Sequence, residues 1–285
     1  MVYHESAKVD GKSITFTRYG EWTKVCCLFF HGFLASSDFL PPDADSEGMC
    51  VISFDRPGIG ESDLIGKYTM EGFCKIITDI LKEHDVESVH VFGHSAGGYY
   101  AQVYAQEFPD MTRTLTLLSS LPPLNCEETE HLMTDDLRKR RLLVAKAKLL
   151  TRFYFVSATN VINKKCDSIV KDRIELMAPF EQEVYRKHTD VYKNGLIMSA
   201  TKKGKGAFYD AIALFSPKPH PVIDPKIPVY VWNGEADTTT TVEFAEYMSK
   251  AYKAKELHVI PGGTHMMFFA VWHDAVKEVN CINNL

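Results

Sequence analysis

Gly93-His94-Ser95-Ala96-Gly97 stands between the apolar run Ser88-Val89-His90-Val91-Phe92 and the helix-forming stretch Gly98-Tyr99-Tyr100-Ala101-Gln102-Val103-Tyr104-Ala105. A strand, a tight turn and a helix in that order present the central serine on a nucleophile elbow. The chemistry dictates the spacing. A serine hydroxyl becomes a useful nucleophile when it is held at a sharp turn, within reach of a base and beside free backbone N–H groups. The turn imposes strained dihedrals on the serine and demands small neighbours, which Gly93 and Gly97 provide. A glycine-rich loop with an idle serine has the same five-letter pattern, so the assignment depends on partners elsewhere in the chain.

Two later segments contain them. Pro228-Val229-Tyr230-Val231-Trp232-Asn233-Gly234-Glu235-Ala236-Asp237 is an apolar β-type run leading into a turn. That puts Asp237 at the carboxyl end of a strand, where open α/β sheets place their sites. Glu235 is the rival acid, and capping the helix that begins near Thr241 is the alternative role for Asp237. Glu256-Leu257-His258-Val259-Ile260-Pro261-Gly262-Gly263-Thr264-His265 repeats the strand-and-turn pattern, and among 11 histidines His265 is the one placed late, after a strand and at a loop. Most isolated histidines are structural. The chain order Ser95, Asp237, His265, however, is the order of nucleophile, acid and base in one particular fold.

With these residues in view, nearly the whole chain resembles the α/β-hydrolase superfamily, as a serine esterase-like or lipase-like member with a helical lid. His31-Gly32-Phe33 closes the apolar run Val25 to Phe30 and looks like the family's oxyanion loop after its third strand. Asp55-Arg56-Pro57-Gly58-Ile59-Gly60-Glu61-Ser62 is similar to its D-x-x-G-x-G-x-S turn after the fourth strand. The alternative acid position of some relatives, after the sixth strand, holds Ser119 and Ser120 here, which favours Asp237. The chain departs from the pattern at Thr238 to Thr241, where relatives often carry proline, and at Thr264, where they often carry glycine.

The resemblance implies an α/β-hydrolase fold: a mostly parallel central sheet with helices on both faces and a helical cap inserted after the sixth strand. Strand-like runs near 13–18, 24–30, 49–54, 88–93, 113–119, 228–233 and 255–260 alternate with helical patterns, as such a sheet requires. Thr69 to His84 is the clearest helix, with Phe73, Ile76, Ile77, Ile80 and Leu81 spaced for one buried face. Between Ser120 and Pro228 lies far more chain than one crossover needs. The expected division is a core of residues 1–121 and 217–285 with a cap of 122–216. Within the cap, helices are predicted over Asp135 to Tyr154, Asp167 to Met177, Phe180 to Lys193 and Gly206 to Phe215. The first of these carries Arg138, Lys139, Arg140, Arg141, Lys146, Lys148 and Arg152 among its leucines. That basic run has three readings: a solvated face, a surface for anionic lipid, or a steering patch for an anionic substrate. The solvated face is favoured, because charged side chains on exposed helices are common.

Composition sets outer bounds. With 285 residues, 45% hydrophobic and 24% charged, the chain matches an ordinary globular enzyme. A net charge of −5 argues against nucleic acid as a partner. The start of the chain lacks the apolar segment of an export signal and no stretch approaches a membrane span, so a cytoplasmic location without stable membrane insertion is expected. Seven scattered cysteines form no zinc spacing and no complete disulfide set, and reduced thiols are the simplest reading. No cofactor or metal is expected.

The function implied is hydrolysis of a carboxylic ester of a small or medium-sized apolar substrate through an acyl-enzyme. Ser95 is the nucleophile, His265 the base and Asp237 its orienting acid, with the backbone N–H groups of Phe33 and Ala96 as the oxyanion hole. Phe153, Tyr154, Phe155, Phe180 and Phe215, with Met266 to Phe269, are candidates for an apolar pocket, although for most of them taken individually core is the favoured reading. The same triad would serve carbon–carbon bond hydrolysis, aminopeptidase chemistry or acyl transfer, and some relatives with an intact triad act as small-molecule receptors.

Overall fold

The apolar runs of the sequence become the middle of one sheet, and the elbow sits at its centre. The computed structural model of the chain describes residues 1–124, 126–216 and 220–281. In chain order the elements are β1 (Val2–Val9), β2 (Lys12–Tyr19), β3 (Val25–Phe30), β4 (Cys50–Phe54), α1 (Met70–Glu83), β5 (Ser88–His94), α2 (Ala96–Glu107) and β6 (Thr112–Leu118). Then come six helices: α3 (Glu127–Glu130), α4 (Asp135–Lys146), α5 (Lys148–Glu175), α6 (Pro179–Lys187), α7 (Thr189–Ser199) and α8 (Lys205–Phe215). The chain closes with β7 (Val229–Gly234), α9 (Val242–Ala251), β8 (Glu256–Ile260) and α10 (Phe268–Asn280).

Among the described residues, eight strands form one sheet in the order β1-β2-β4-β3-β5-β6-β7-β8. The pairs from β4 to β8 are parallel, while β1 to β2 and β2 to β4 are antiparallel. Successive side chains point to opposite faces and both faces are covered. Leu28, Ile52 and Val91 pack in one layer with Phe73 and Ile77 of α1 and Tyr104 of α2. Phe29, Val51 and Phe92 pack in the other with Trp272 and Val276 of α10. The seven strands expected from sequence are present. The eighth, β1, was not anticipated: its residues alternate between half-buried and exposed at the sheet edge, so it carries no continuous apolar run.

The helices between β6 and β7 depart more from expectation. Asp135 to Tyr154 is not one helix but two, broken at Ala147 (φ −137°, ψ 53°). The Thr151 hydroxyl donates to the carbonyls of Leu143 and Ala147, both at 3.0 Å, satisfying backbone acceptors at the corner. The predicted helix over Asp167 to Met177 is the second half of α5, kinked at Lys165, and Phe180 to Lys193 is split at His188 (φ −122°). The break at Ala147 turns Thr151 and Phe155 inward and leaves Leu149, Leu150 and Phe153 exposed. Burial of one such leucine or phenylalanine is worth about 1.5–3 kcal/mol, so three together on open surface is a marked exception to the packing elsewhere. The expected boundary at residue 217 lies outside the described residues.

Candidate active site

β5 ends at His94 and α2 begins at Ala96, leaving Ser95 alone in the turn with φ 55° and ψ −124°. Such dihedrals are strained for a non-glycine residue and persist only where the surroundings enforce them. The close packing of the elbow does so. A Cβ on Gly97 would lie 2.0 Å from the carbonyl oxygen of Phe30, so α2 can approach β3 this closely only with glycine there.

Ser95, His265 and Asp237, distant in sequence, meet at the carboxyl ends of β5, β7 and β8. His265 Nε2 lies 2.9 Å from Ser95 Oγ, and His265 Nδ1 lies 2.8 Å from Asp237 Oδ2. The Asp237 carboxylate fixes the proton on Nδ1, so Nε2 is free to accept from the serine hydroxyl. Asp237 Oδ1 accepts from the backbone N–H groups of Thr239 (2.8 Å) and Thr240 (2.9 Å), and Oδ2 accepts from the Thr240 hydroxyl at 2.6 Å. Burial alone would raise this carboxyl. The adjacent His265 ring and the hydrogen bonds from His265 and Thr240 outweigh it and hold the group below its ordinary range.

The two carboxylates of this segment differ in position. Glu235 is exposed and its Oε2 accepts from the Gly262 N–H at 2.9 Å, bracing the loop before the histidine. Asp237 does not cap α9, whose N-cap residue is Thr241. The run of threonines has a use of its own. Thr240 Oγ1 lies 3.0 Å from His265 Nδ1 and 2.9 Å from the carbonyl oxygen of Ser119, so one hydroxyl joins Asp237, His265 and the end of β6.

The His31-Gly32-Phe33 loop lies against Ser95, since a Cβ on Gly32 would stand 3.3 Å from Ser95 Cβ. Its shape is set by a residue that sequence reading did not single out. Arg56, fully buried, donates from Nη1 to the His31 carbonyl (2.8 Å), from Nη2 to the Gly32 carbonyl (2.7 Å) and from Nε to Asp210 Oδ2 (2.9 Å). Asp210, on α8, also accepts from the Tyr100 hydroxyl at 2.8 Å. The signal available in the sequence was an arginine inside the glycine-rich turn after β4. What it lacked was the partner, 154 residues away.

Two more residues were missed. His94 donates from Nε2 to the backbone carbonyl of His265 at 2.9 Å and stacks on Phe268. Burial, then the neighbouring His265, lower its pKa to about 3, so it stays neutral. Glu181 of α6 is buried and accepts from the Thr264 N–H (2.7 Å), the Thr264 hydroxyl (2.8 Å) and the Ala178 N–H (2.8 Å). Thr264 therefore serves as the handle by which an inserted helix grips the histidine loop.

Above Ser95 lies a cavity of about 510 Å³ lined by Phe33, Leu121, Leu137, Phe155, Leu214 and Phe215, with Lys139, Arg140 and Tyr154 at its lining as well. Of the aromatic candidates, Tyr154, Phe155 and Phe215 line this space. Met267, Phe268 and Phe269 are core, Met266 packs against them, and Phe153 and Phe180 are exposed. Among the described residues, no cluster of metal-ligating side chains occurs and no helix is long and apolar enough to cross a membrane.

Residues 28–270 match the model of the alpha/beta hydrolase fold family. The chain is 30% identical over 132 residues to an uncharacterized hydrolase of Bacillus subtilis (strain 168), a stretch covering 45% of each protein. It spans less than half the length of the first curated relatives it matches, from 42% to 45%. An alpha/beta hydrolase enzyme from a Medee basin deep-sea metagenome library superposes with a TM-score of 0.70 at 15% identity, covering 99% of this chain and 98% of the other. A thermophilic esterase from Thermogutta terrifontis gives 0.66 at 19% identity, with 99% and 97% covered.

Proposed function

Because this chain belongs to the α/β-hydrolase family, we propose that it hydrolyses carboxylic esters of small or medium-sized apolar substrates through an acyl-enzyme on Ser95. The observation that carries this reading is the unbroken hydrogen-bonded chain Ser95–His265–Asp237 opening into an apolar-lined cavity. Fold alone does not specify a reaction, so the argument rests on this geometry.

Ser95 Oγ attacks the ester carbonyl carbon as its proton passes to His265 Nε2. Asp237 stabilises the imidazolium that results, and its low pKa keeps it ionised for that role. The backbone N–H groups of Phe33 and Ala96 receive the oxyanion, each such donor being worth about 3 to 4 kcal/mol in the transition state. Collapse of the tetrahedral intermediate expels the alcohol, which takes the proton from His265. Water then attacks the acyl carbon as its proton passes to His265, and the second tetrahedral intermediate expels Ser95 Oγ, which takes that proton back as the acid leaves. Helices α3 to α8 act as the cap of the site. They supply much of the cavity lining, and two of their buried carboxylates, Asp210 and Glu181, hold the oxyanion loop (through Arg56) and the histidine loop.

The test is a panel of chromogenic esters of increasing acyl length together with a fluorophosphonate probe. Efficient turnover and labelling, both lost in Ser95→Ala, are expected. Wild-type ester hydrolysis by Ser95→Ala would remove Ser95 as nucleophile. Labelling without turnover, with ligand-induced stabilisation, would turn the reading toward a receptor.

A further inference from the structure

The rim of the cavity continues onto a surface whose composition the proposed hydrolysis does not use. The first two turns of α5 expose Leu149 (66%), Leu150 (63%), Phe153 (63%) and Tyr154 (53%). At spacings of i, i+1, i+4 and i+5 these four lie on one face, opposite the buried Thr151 and Phe155. The same segment is rich in cations. Asp135 to Tyr154 holds seven basic residues against two acidic ones, in a chain whose net charge is −5. Arg138, Arg140 and Arg141 are paired with Asp135, Asp136 and Glu130. Lys139, Lys146, Lys148 and Arg152 have no carboxylate partner among the described residues. Tyr154 belongs both to this face and to the cavity lining, as Lys139 belongs to the lining and the basic rim.

We propose that this face docks on an anionic lipid surface, so that an amphiphilic ester passes from that surface into the cavity above Ser95. The patch has the two chemistries such a surface recognises: apolar side chains that enter the acyl boundary and unpaired cations in the same segment that meet anionic headgroups. Either one alone would fit other occupants. A second copy of the chain fits less well, because a two-fold contact centred on the patch brings Lys146, Lys148 and Arg152 toward their own copies. The passage of substrate to Ser95 rests on the ester-hydrolase reading, whereas docking itself does not.

The Ser95→Ala protein, expected to turn nothing over, is sedimented with vesicles of phosphatidylcholine alone or with phosphatidylglycerol added. Binding to the anionic vesicles should be about tenfold tighter and should weaken between about 50 and 500 mM salt. Leu149→Ser with Phe153→Ser should weaken it about tenfold, and Lys148→Gln with Arg152→Gln should abolish the preference for anionic lipid. In the Ser95 background of the native chain, both double variants should keep wild-type kcat/KM on a water-soluble short-chain ester. Absence of vesicle binding, or binding unchanged in both double variants, overturns the proposal. So does a dimer on gel filtration that Leu149→Ser with Phe153→Ser converts to monomer, since the patch would then be covered by a second copy. If the native chain binds vesicles but hydrolyses no ester, docking stands and the hydrolase reading falls. Turnover of soluble esters without vesicle binding has the opposite meaning.

Discussion

The carboxylate of Glu181 holds Thr264 twice, accepting from its backbone N–H and from its hydroxyl, one residue before His265. A helix from between β6 and β7 thus fixes the loop that carries His265. Glu181→Ala leaves the Thr264 N–H and the Ala178 N–H without this acceptor, and each unpaired buried donor costs about 1–3 kcal/mol. We expect kcat for a soluble ester to fall about tenfold or more with KM little changed, since the ring of His265 drifts while the cavity stays. Glu181→Gln, which can accept one of these bonds, should recover part of the loss. An equal fall in stability with kcat unaltered would reduce Glu181 to a structural tie.

Arg56 and Asp210 make a buried ion pair, and removing one partner from such a pair typically costs about 3–5 kcal/mol. Asp210→Asn should therefore lower the denaturation midpoint clearly. Replacing both, Arg56→Met with Asp210→Leu, should restore much of the stability, because an apolar pair needs no compensation. Activity should not return with it. The carbonyls of His31 and Gly32 would have lost their donors, and affinity for a trifluoromethyl ketone, which forms the oxyanion, should remain low. A double variant with wild-type kcat would show that Arg56 has no part in shaping the loop.

Asp237→Asn should reduce kcat by about 10³ to 10⁴, through loss of the correct imidazole tautomer. Glu235→Gln should change kcat less than twofold or so, given a carboxylate that braces Gly262 and touches neither His265 nor Ser95. Steady-state kinetics of the two variants side by side settles which carboxylate is the acid.

His94 has a pKa of about 3 when folded against an ordinary value of 6.5. Between those values the unfolded chain binds a proton that the folded chain excludes, so this residue's contribution to stability falls as pH drops from about 6.5 toward 3. Urea unfolding at pH 7 and pH 4.5 should show a smaller acid loss for His94→Gln than for the native chain. The variant should also lose activity at pH 7, because the 2.9 Å tie to the His265 carbonyl is weakened.

What could be read from residue order was the chemistry of short segments. A five-residue elbow, a strand ending in Asp237 and a strand ending near His265 are local patterns, because strand burial and turn sterics act over a few residues. They identified the sheet, the elbow and three side chains that folding joins in succession, Ser95 to His265 at 2.9 Å and His265 to Asp237 at 2.8 Å. The helices between β6 and β7 were less legible: Ala147 breaks a helix whose leucine spacing runs straight through it, and only packing against the core decides which face turns inward. The grips of Glu181 on Thr264 and of Arg56 on the His31 to Phe33 loop left no trace in spacing. The first joins residues 83 positions apart, and the second, itself a reach of 24 and 25 positions, is completed by Asp210, 154 positions from Arg56. A buried charge acquires its meaning from the partner that folding brings to it, and that partner has no fixed distance along the chain.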